Sequence, residues 1–532
     1  MPTRLIEIIS FEGGRELRLR ETQGSPTEPY IALSYCWGGD QPIKLTRALI
    51  GKWRIGIPSE KLPKTIQDAL VVCEQLGFRF LWVDAFCIMQ DDPSDKAVEI
   101  AQMPGVYGNS SLTIAASRAS SVEEGFLGNR TATDFLDQVF ELPYQCQDGQ
   151  IGSITLTRTR IQPEPLDSRG WILQERLLSP RTLEFGSRQL RWICQKSDQD
   201  ISDGWRKKAE ANQSRKDNID DLDGLRAQFH SLQDMKYKLD GREIEDWYQV
   251  AQDYTRQRRT ESTDIRLSHP RIAEQFISAM DNWYKIVNAY TRRSLSVPTD
   301  RILALSAVAE RYGRAFGDQY CAGIWRGTLP LTLLWKAMGN NMQPRPQKWQ
   351  GPSWSWTSIN RPVVCPGRNW FRQDGPKILD IALELTNPTH PYGALREGSG
   401  RLTLKGKKIP AVLMFPGKNI GTFNTNPRMS FSTDKPDEYN TFVSYDALPP
   451  EEEDSRNIVL LEFATACQIN GWSCRGLILR DLGGQMFVRL GVFDFATLYG
   501  RKEGEESEAW KQRVDQEYNP FRHCLPEVIY II

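Results

Sequence analysis

The sequence predicts an α/β N-terminal domain on a parallel sheet, followed by a mixed helical and β-rich C-terminal region. Three continuously apolar runs, YIALSYC from residue 30, FRFLWVD to residue 84 and SLTIAAS from 111 to 117, have the character of strands buried on both faces. Two stretches with helical spacing separate them, so strand, helix, strand, helix, strand follow within about ninety residues, the rhythm of a parallel sheet with helices on its faces. From 376 to 532 the pattern changes to short alternating runs, RLTLKGKKI, NIVLLEFATA, GLILRDL and QMFVRLGVF, separated by Gly, Pro and Asn.

A short amphipathic opening precedes the first strand, Tyr30 to Cys36, and a polar loop with Gly38, Gly39 and Pro42 follows it. LPKTIQDALVVCEQLG reads as a helix, with Pro63 in the first turn, apolar Ile66, Leu70, Cys73 and Leu76, and Gly77 as the stop. The second strand spans 79 to 84 and is closed by Asp84. A helical pattern through Ala97, Ile100 and Ala101 then meets Pro104, which is expected to kink or end it. WILQERLL reads as a short helix, and residues 195 to 280 as a charged, solvated insertion. DNWYKIVNAYTRRSL and DRILALSAVAERYG restore amphipathic helices before the linker MQPRPQKWQGP. SWSW at 353 to 356 alternates Trp at strand spacing as a hydrophobic anchor, and EGEESEAWK reads as an exposed charged turn. The expected division is residues 1–195, an insertion at 196–280, a helical segment with a Trp-rich linker at 281–370, and a β-rich domain at 371–532.

Composition narrows the function classes. The 532 residues hold 67 Lys plus Arg against 67 Asp plus Glu, so no net field draws the chain to nucleic acid or an anionic membrane. No run is apolar enough to span a bilayer and the N-terminus lacks a secretory pattern, so a cytoplasmic protein is expected. The 10 cysteines form no CxxC pair, which argues against a zinc site and a disulfide framework. The 4 histidines lie at 230, 269, 390 and 523, so the first three strands carry no imidazole for Ser-His-Asp, Cys-His or His-metal chemistry unless a distant segment supplies it.

Ligands on parallel sheets gather at the carboxyl ends of the strands. There the sequence places Ser34, Tyr35, Cys36, Trp37 and Gly38 after strand one, Asp84 after strand two, and Glu123 and Glu124 in the loop after strand three.

The stretches YIALSYCWGG, LPKTIQDALVVCEQLGFRFLWVDAFCIMQDD, VEIAQMPGVYGNSSLTIAAS and RGWILQERLLSPRTLEFGSRQLRWIC, in this order, resemble the fungal HET (heterokaryon incompatibility) domain family. The resemblance covers about residues 30 to 195, and WYKIVNAYTRRSL, DRILALSAVAERYG, CAGIWR and GPSWSWTSI carry looser echoes past 360. It implies a TIR-like domain, that is a TIR/flavodoxin-like parallel sheet, acting in non-self recognition and induced cell death. Some TIR domains hydrolyse NAD at the nicotinamide glycosidic bond with one glutamate, so by analogy of fold NAD is the expected substrate, with no tightly bound cofactor and no metal. Pro104 and the length of the charged insertion depart from the family pattern, and no nucleotide-switch or WD-repeat module is present.

Nicotinamide leaves as a group that already bears positive charge, so the reaction needs no proton donor. It needs a carboxylate near the ribose, an aromatic to hold the ring, and backbone amides or an Arg for the pyrophosphate. Glu124, with Glu123 beside it, stands where TIR topology puts the glutamate; both also read as exposed acids on a Gly-terminated turn. Glu99 competes from the helix after strand two, or faces solvent. Asp84 is a site acid or a structural acid bonded to loop amides or an arginine. Trp37 stacks on a ring or packs, and Cys36 and Cys87 pack. Arg169, Trp171, Gln174 and Glu175 form a second polar cluster: Arg169 reaches a phosphate or pairs with Asp84, Glu175 is a further catalytic acid, or the cluster is a buried salt bridge. The alternatives to hydrolysis are a non-catalytic module that assembles with itself, and an enzyme of secondary metabolism acting on another small molecule through His390 or Cys365.

Overall fold

A computed structural model describes residues 2–22, 28–130, 139–157, 163–194, 222–234, 270–339, 342–366, 375–414, 428–431, 440–447, 457–468, 471–497 and 506–532. Most of the 196–280 insertion lies outside the described residues; its described parts, Leu222–Asp234 and the start of Pro270–Thr291, are helical. The chain divides into two compact units, Met1–Asn218 and Ile219–Ile532.

The first unit is a mixed sheet with helices. The strands are β1 (Arg4–Phe11), β2 (Gly14–Glu21), β3 (Tyr30–Ser34), β4 (Phe80–Trp82), β5 (Leu112–Ala115), a separate hairpin β6 (Val139–Gln145) and β7 (Ile151–Thr157), then β8 (Arg181–Phe185) and β9 (Leu190–Cys194). The sheet order is β2-β1-β4-β3-β5-β8-β9. β3 pairs in parallel with β4 and β5, as the apolar runs predict, and β5 also pairs in parallel with β8, which those runs do not include. The edges are antiparallel: β1 pairs with β2 and β4, and β8 with β9. The expectation of a parallel sheet is corrected at its edges, because the opening segment is a hairpin turned at Gly13 (φ +92°) that joins the sheet through β4. β3 is buried at all 5 positions, which its unbroken YIALS requires of a central strand.

Helix α1 (Lys64–Gln75) follows β3 and helix α2 (Pro93–Asn109) follows β4. From α1, buried Asp68 accepts the backbone N–H groups of Phe126 at 2.7 Å and Leu127 at 3.0 Å, and so ties down the loop that leaves β5. Asp92 caps α2 by accepting from the amides of Ser94 and Asp95, with Pro93 in the first turn. Pro104 does not end this helix, which runs on to Asn109. Burial of Met103, Val106 and Tyr107 around the proline outweighs the one hydrogen bond it removes. Helix α3 (Gly170–Leu178) covers the WILQERLL segment and is buried along Ile172, Leu173, Leu177 and Leu178.

The second unit is β-rich in its C-terminal part. Its sheet runs Lys377–Ala382, Arg401–Gly406, Glu527–Ile531, Met486–Thr497, Gly471–Asp481, Ile458–Gln468, Lys408–Met414 and Arg428–Phe431, and Asn440–Tyr445 also pairs with Met486–Thr497. Helices Pro270–Thr291 and Ser306–Phe316 overlap the two stretches where amphipathic spacing predicts helices, the first beginning inside the expected insertion. SWSW is not a strand: Trp354 lies in a turn and Trp356 opens the short 3-10 helix Trp356–Ser358, both buried, with ring N–H groups donating to the carbonyls of Gly400 and Gly323 at 2.9 Å each. The charged turn near 503 is also corrected. Residues 501–505 lie outside the described residues, but Ser507–Tyr518 is a helix because Trp510 finds a buried place beside Cys474 and Phe495 in the core of the sheet. In the same unit Arg489, with no exposed side chain, pairs with equally buried Asp446 at 2.8 Å and lies 3.5 Å over the ring of Trp335.

Candidate functional site

The parallel strands β3, β4, β5 and β8 lie in the order β4-β3-β5-β8, so the strand order reverses beside β3. Helices leave from opposite sides at such a reversal and open a crevice at the carboxyl ends of the strands. Here β3 delivers Ser34, Tyr35, Cys36 and Trp37, β4 delivers Asp84, and α3 brings Arg169 and Glu175.

Glu175 is 6% exposed and Ser34 1% exposed, and the hydroxyls of Ser34 and Tyr107 stand within hydrogen-bonding reach of the Glu175 carboxyl. Burial pushes the Glu175 carboxyl up to about 7, against the pull of Ser34, Arg169 and Tyr107, while the charge of Asp84 pushes it further up. Asp84 is raised by burial and drawn back by Arg169 and by its hydrogen bonds. Its Oδ2 accepts from the ring N–H of Trp37 at 2.9 Å and its Oδ1 from the amide of Ala85 at 2.6 Å. The guanidinium of Arg169 donates to the carbonyl of Tyr35 and stands electrostatically between Asp84 and Glu175. Tyr35 is buried, and its hydroxyl is held protonated by burial and by Asp84.

Tyr107 belongs to this group and was not expected there. Its hydroxyl donates to the carbonyl of Leu33 at 3.1 Å and is pushed up by burial, Glu175 and Asp84. The stripe of α2 that would have shown it continues past Pro104, where the sequence predicts a break. Gln174 is buried on α3 and Trp171 is half-buried in its first turn.

Other candidates are placed differently. Glu124 is exposed and accepts from the amide of Ser120 at 2.8 Å and from its hydroxyl, although its charge reaches Cys36; Glu123 is exposed. Glu99 does not face solvent. It is buried at 3.4 Å from Arg4 of β1, whose guanidinium also holds Asp95 and the carbonyl of Cys87. Burial raises the thiols of Cys36 and Cys87, the latter to about 12, so neither is a thiolate at neutral pH. Gly38 (φ +73°) brings the loop after β3 against the loop after β5: a Cβ there would lie 2.3 Å from that of Ser121.

In the second unit, Cys365 is buried with its thiol pushed up to about 12 and His390 is exposed, its Nδ1 3.1 Å from the Thr389 hydroxyl. Among the described residues no group of three or more His, Cys, Asp or Glu is placed to hold a metal ion, and no helix is long and apolar enough to cross a membrane.

Residues 30–175 match the family model described as heterokaryon incompatibility protein (HET). Searches of the curated proteins and of the solved structures find no match to the chain.

Proposed function

We propose, with residues 30–175 as a HET domain for premise, that this protein acts in non-self recognition and cell death, and that its first unit hydrolyses NAD at the nicotinamide glycosidic bond. The strand order β4-β3-β5-β8 is the one a flavodoxin- or TIR-like sheet has, and supports that reading of the fold. The observation that carries the chemistry is Glu175, a buried carboxyl gathered with Ser34, Tyr107, Arg169 and Asp84 at the carboxyl ends of the parallel strands.

In this reading the ionised Glu175 stabilises the oxocarbenium-like ribose as the C–N bond breaks and its electron pair returns to the nicotinamide ring nitrogen. Water adds to the anomeric carbon and its proton passes to the carboxylate or to solvent. Trp37, oriented by Asp84, stacks on the ring, and Arg169 meets the pyrophosphate.

The test follows free nicotinamide from NAD and the purified full chain. Glu175→Gln, which keeps the shape, should lower kcat/KM by about a hundredfold or more, whereas Glu124→Gln should stay near the parent. Since the ionised form is the active one, the parent rate should climb through about pH 7. A parent that releases no nicotinamide, or an undiminished Glu175→Gln, would sink the hydrolase reading. The second reading, a module that works by assembling with its own copies, is favoured by the hairpin β6–β7.

A further inference from the structure

The hairpin β6–β7 pairs with no other strand among the described residues, and a two-stranded ribbon alone is marginal in water. Its register shows which edge is open. The amide of Cys146 donates to the carbonyl of Gln150 at 2.8 Å, and the ladder continues through Tyr144↔Gly152, Leu142↔Ile154 and Phe140↔Leu156. Antiparallel pairs alternate, so these are the hydrogen-bonded ones and Pro143↔Ser153 is not, as a residue without an N–H requires. The outward backbone groups of β6 therefore belong to Val139, Glu141, Pro143 and Gln145, an edge interrupted by the proline and marked by an acid. Those of β7 belong to Ile151, Ser153, Thr155 and Thr157, and IGSITLT contains neither proline nor charge. Native edges are normally blunted by one or the other.

One face of the ribbon is apolar as well. Phe140, Leu142 and Tyr144 alternate onto the same side as Ile154, and they are 58%, 48%, 49% and 42% exposed.

We propose that the occupant of this edge is a second copy of the chain, its β7 pairing antiparallel with β7 across a two-fold axis to make a four-stranded sheet. An uncharged edge meets itself without like-charge repulsion, and a two-fold pairing closes without leaving another open β7. Edge pairing leaves Phe140 and Tyr144 on the outer strands β6 and joins little more than the two β7 backbones, so it buries less than the roughly 1,200 Å² below which interfaces are weak and transient. The dimer is accordingly reversible and concentration-dependent. The inference does not rest on NAD hydrolysis.

Sedimentation velocity of the full chain over a concentration series tests it. The parent should pass from monomer toward dimer. Ser153→Pro removes an outward N–H and no bond of the hairpin's own ladder, so it should remain monomeric. Glu141→Pro makes the same change on the β6 edge and should dimerise like the parent. Amide exchange at Leu142 and Tyr144 reports whether each variant keeps the hairpin. Should Ser153→Pro lose it, Ser153→Lys takes its place, and two facing ammonium groups should weaken the dimer at least tenfold. A parent that stays monomeric throughout, an assembly larger than a dimer, a Ser153 variant that keeps the hairpin and dimerises undiminished, or loss of the dimer in Glu141→Pro with its hairpin intact overturns the proposal.

Discussion

Glu175 keeps its proton to about pH 7 because the fold buries it, whereas in the unfolded chain it titrates near 4.5. A carboxyl raised on folding contributes stability that is complete below about 4.5 and is lost as the pH climbs through about 7. Glu175→Gln lacks that titration. Between about pH 5 and about pH 8 the parent should therefore lose at least about 2–4 °C of melting temperature relative to the variant. Parallel melting profiles would show that the side chain is not desolvated as described. Asp84 was legible as an acid that needs partners, because it closes an apolar strand, and the indole N–H of Trp37 and the amide of Ala85 are those partners. The burial of Glu99 was not legible. Its counter-ion, Arg4, sits on a strand that reads in the sequence only as an amphipathic opening.

At the scale of elements, Gly38 is where two loops of the first unit meet. An alanine there takes on an unfavourable positive φ and sets its Cβ 2.6 Å from the backbone Cα of Ser121, which cannot swing aside. Gly38→Ala should cost roughly 1–3 kcal/mol and loosen Trp37 from Asp84; urea unfolding with tryptophan fluorescence measures both, and an unchanged midpoint would contradict the geometry. The strands β3, β4 and β5 and helix α1 could be read from the sequence because each is a local pattern of apolar runs or 3.6-residue spacing. The hairpin β1–β2 and the continuation of α2 through Pro104 could not. The first depends on pairing Ile6 with Leu81, the second on packing of Met103, Val106 and Tyr107 that outweighs a local breaker.

For the molecule as a whole, the second unit stakes much of its stability on one buried ion pair. Asp446→Ala would leave the Arg489 guanidinium charged and uncompensated in a dry interior, at a cost of about 3–5 kcal/mol. Replacing both residues should lose less than the two single losses added, although the carbonyls of Leu333 and Trp335 that Arg489 holds would still go unmet. Denaturant midpoints of the two single variants and the double form the cycle that measures it; strict additivity would mean the pair does not interact. Nothing in the sequence marks Arg489 and Asp446 as partners, since Arg489 stands on the strand Met486–Thr497 and Asp446 just beyond the end of Asn440–Tyr445.

The position of β3 bears on how the chain is made. Its neighbours in the sheet, β4 and β5, come from about fifty and eighty residues further along, so Ile31–Ser34 leaves the ribosome as an apolar segment with nothing yet to pair with. Until residue 115 has emerged it is a natural target for a chaperone, and a translation arrest placed before that point would yield a nascent chain prone to clump rather than a smaller domain.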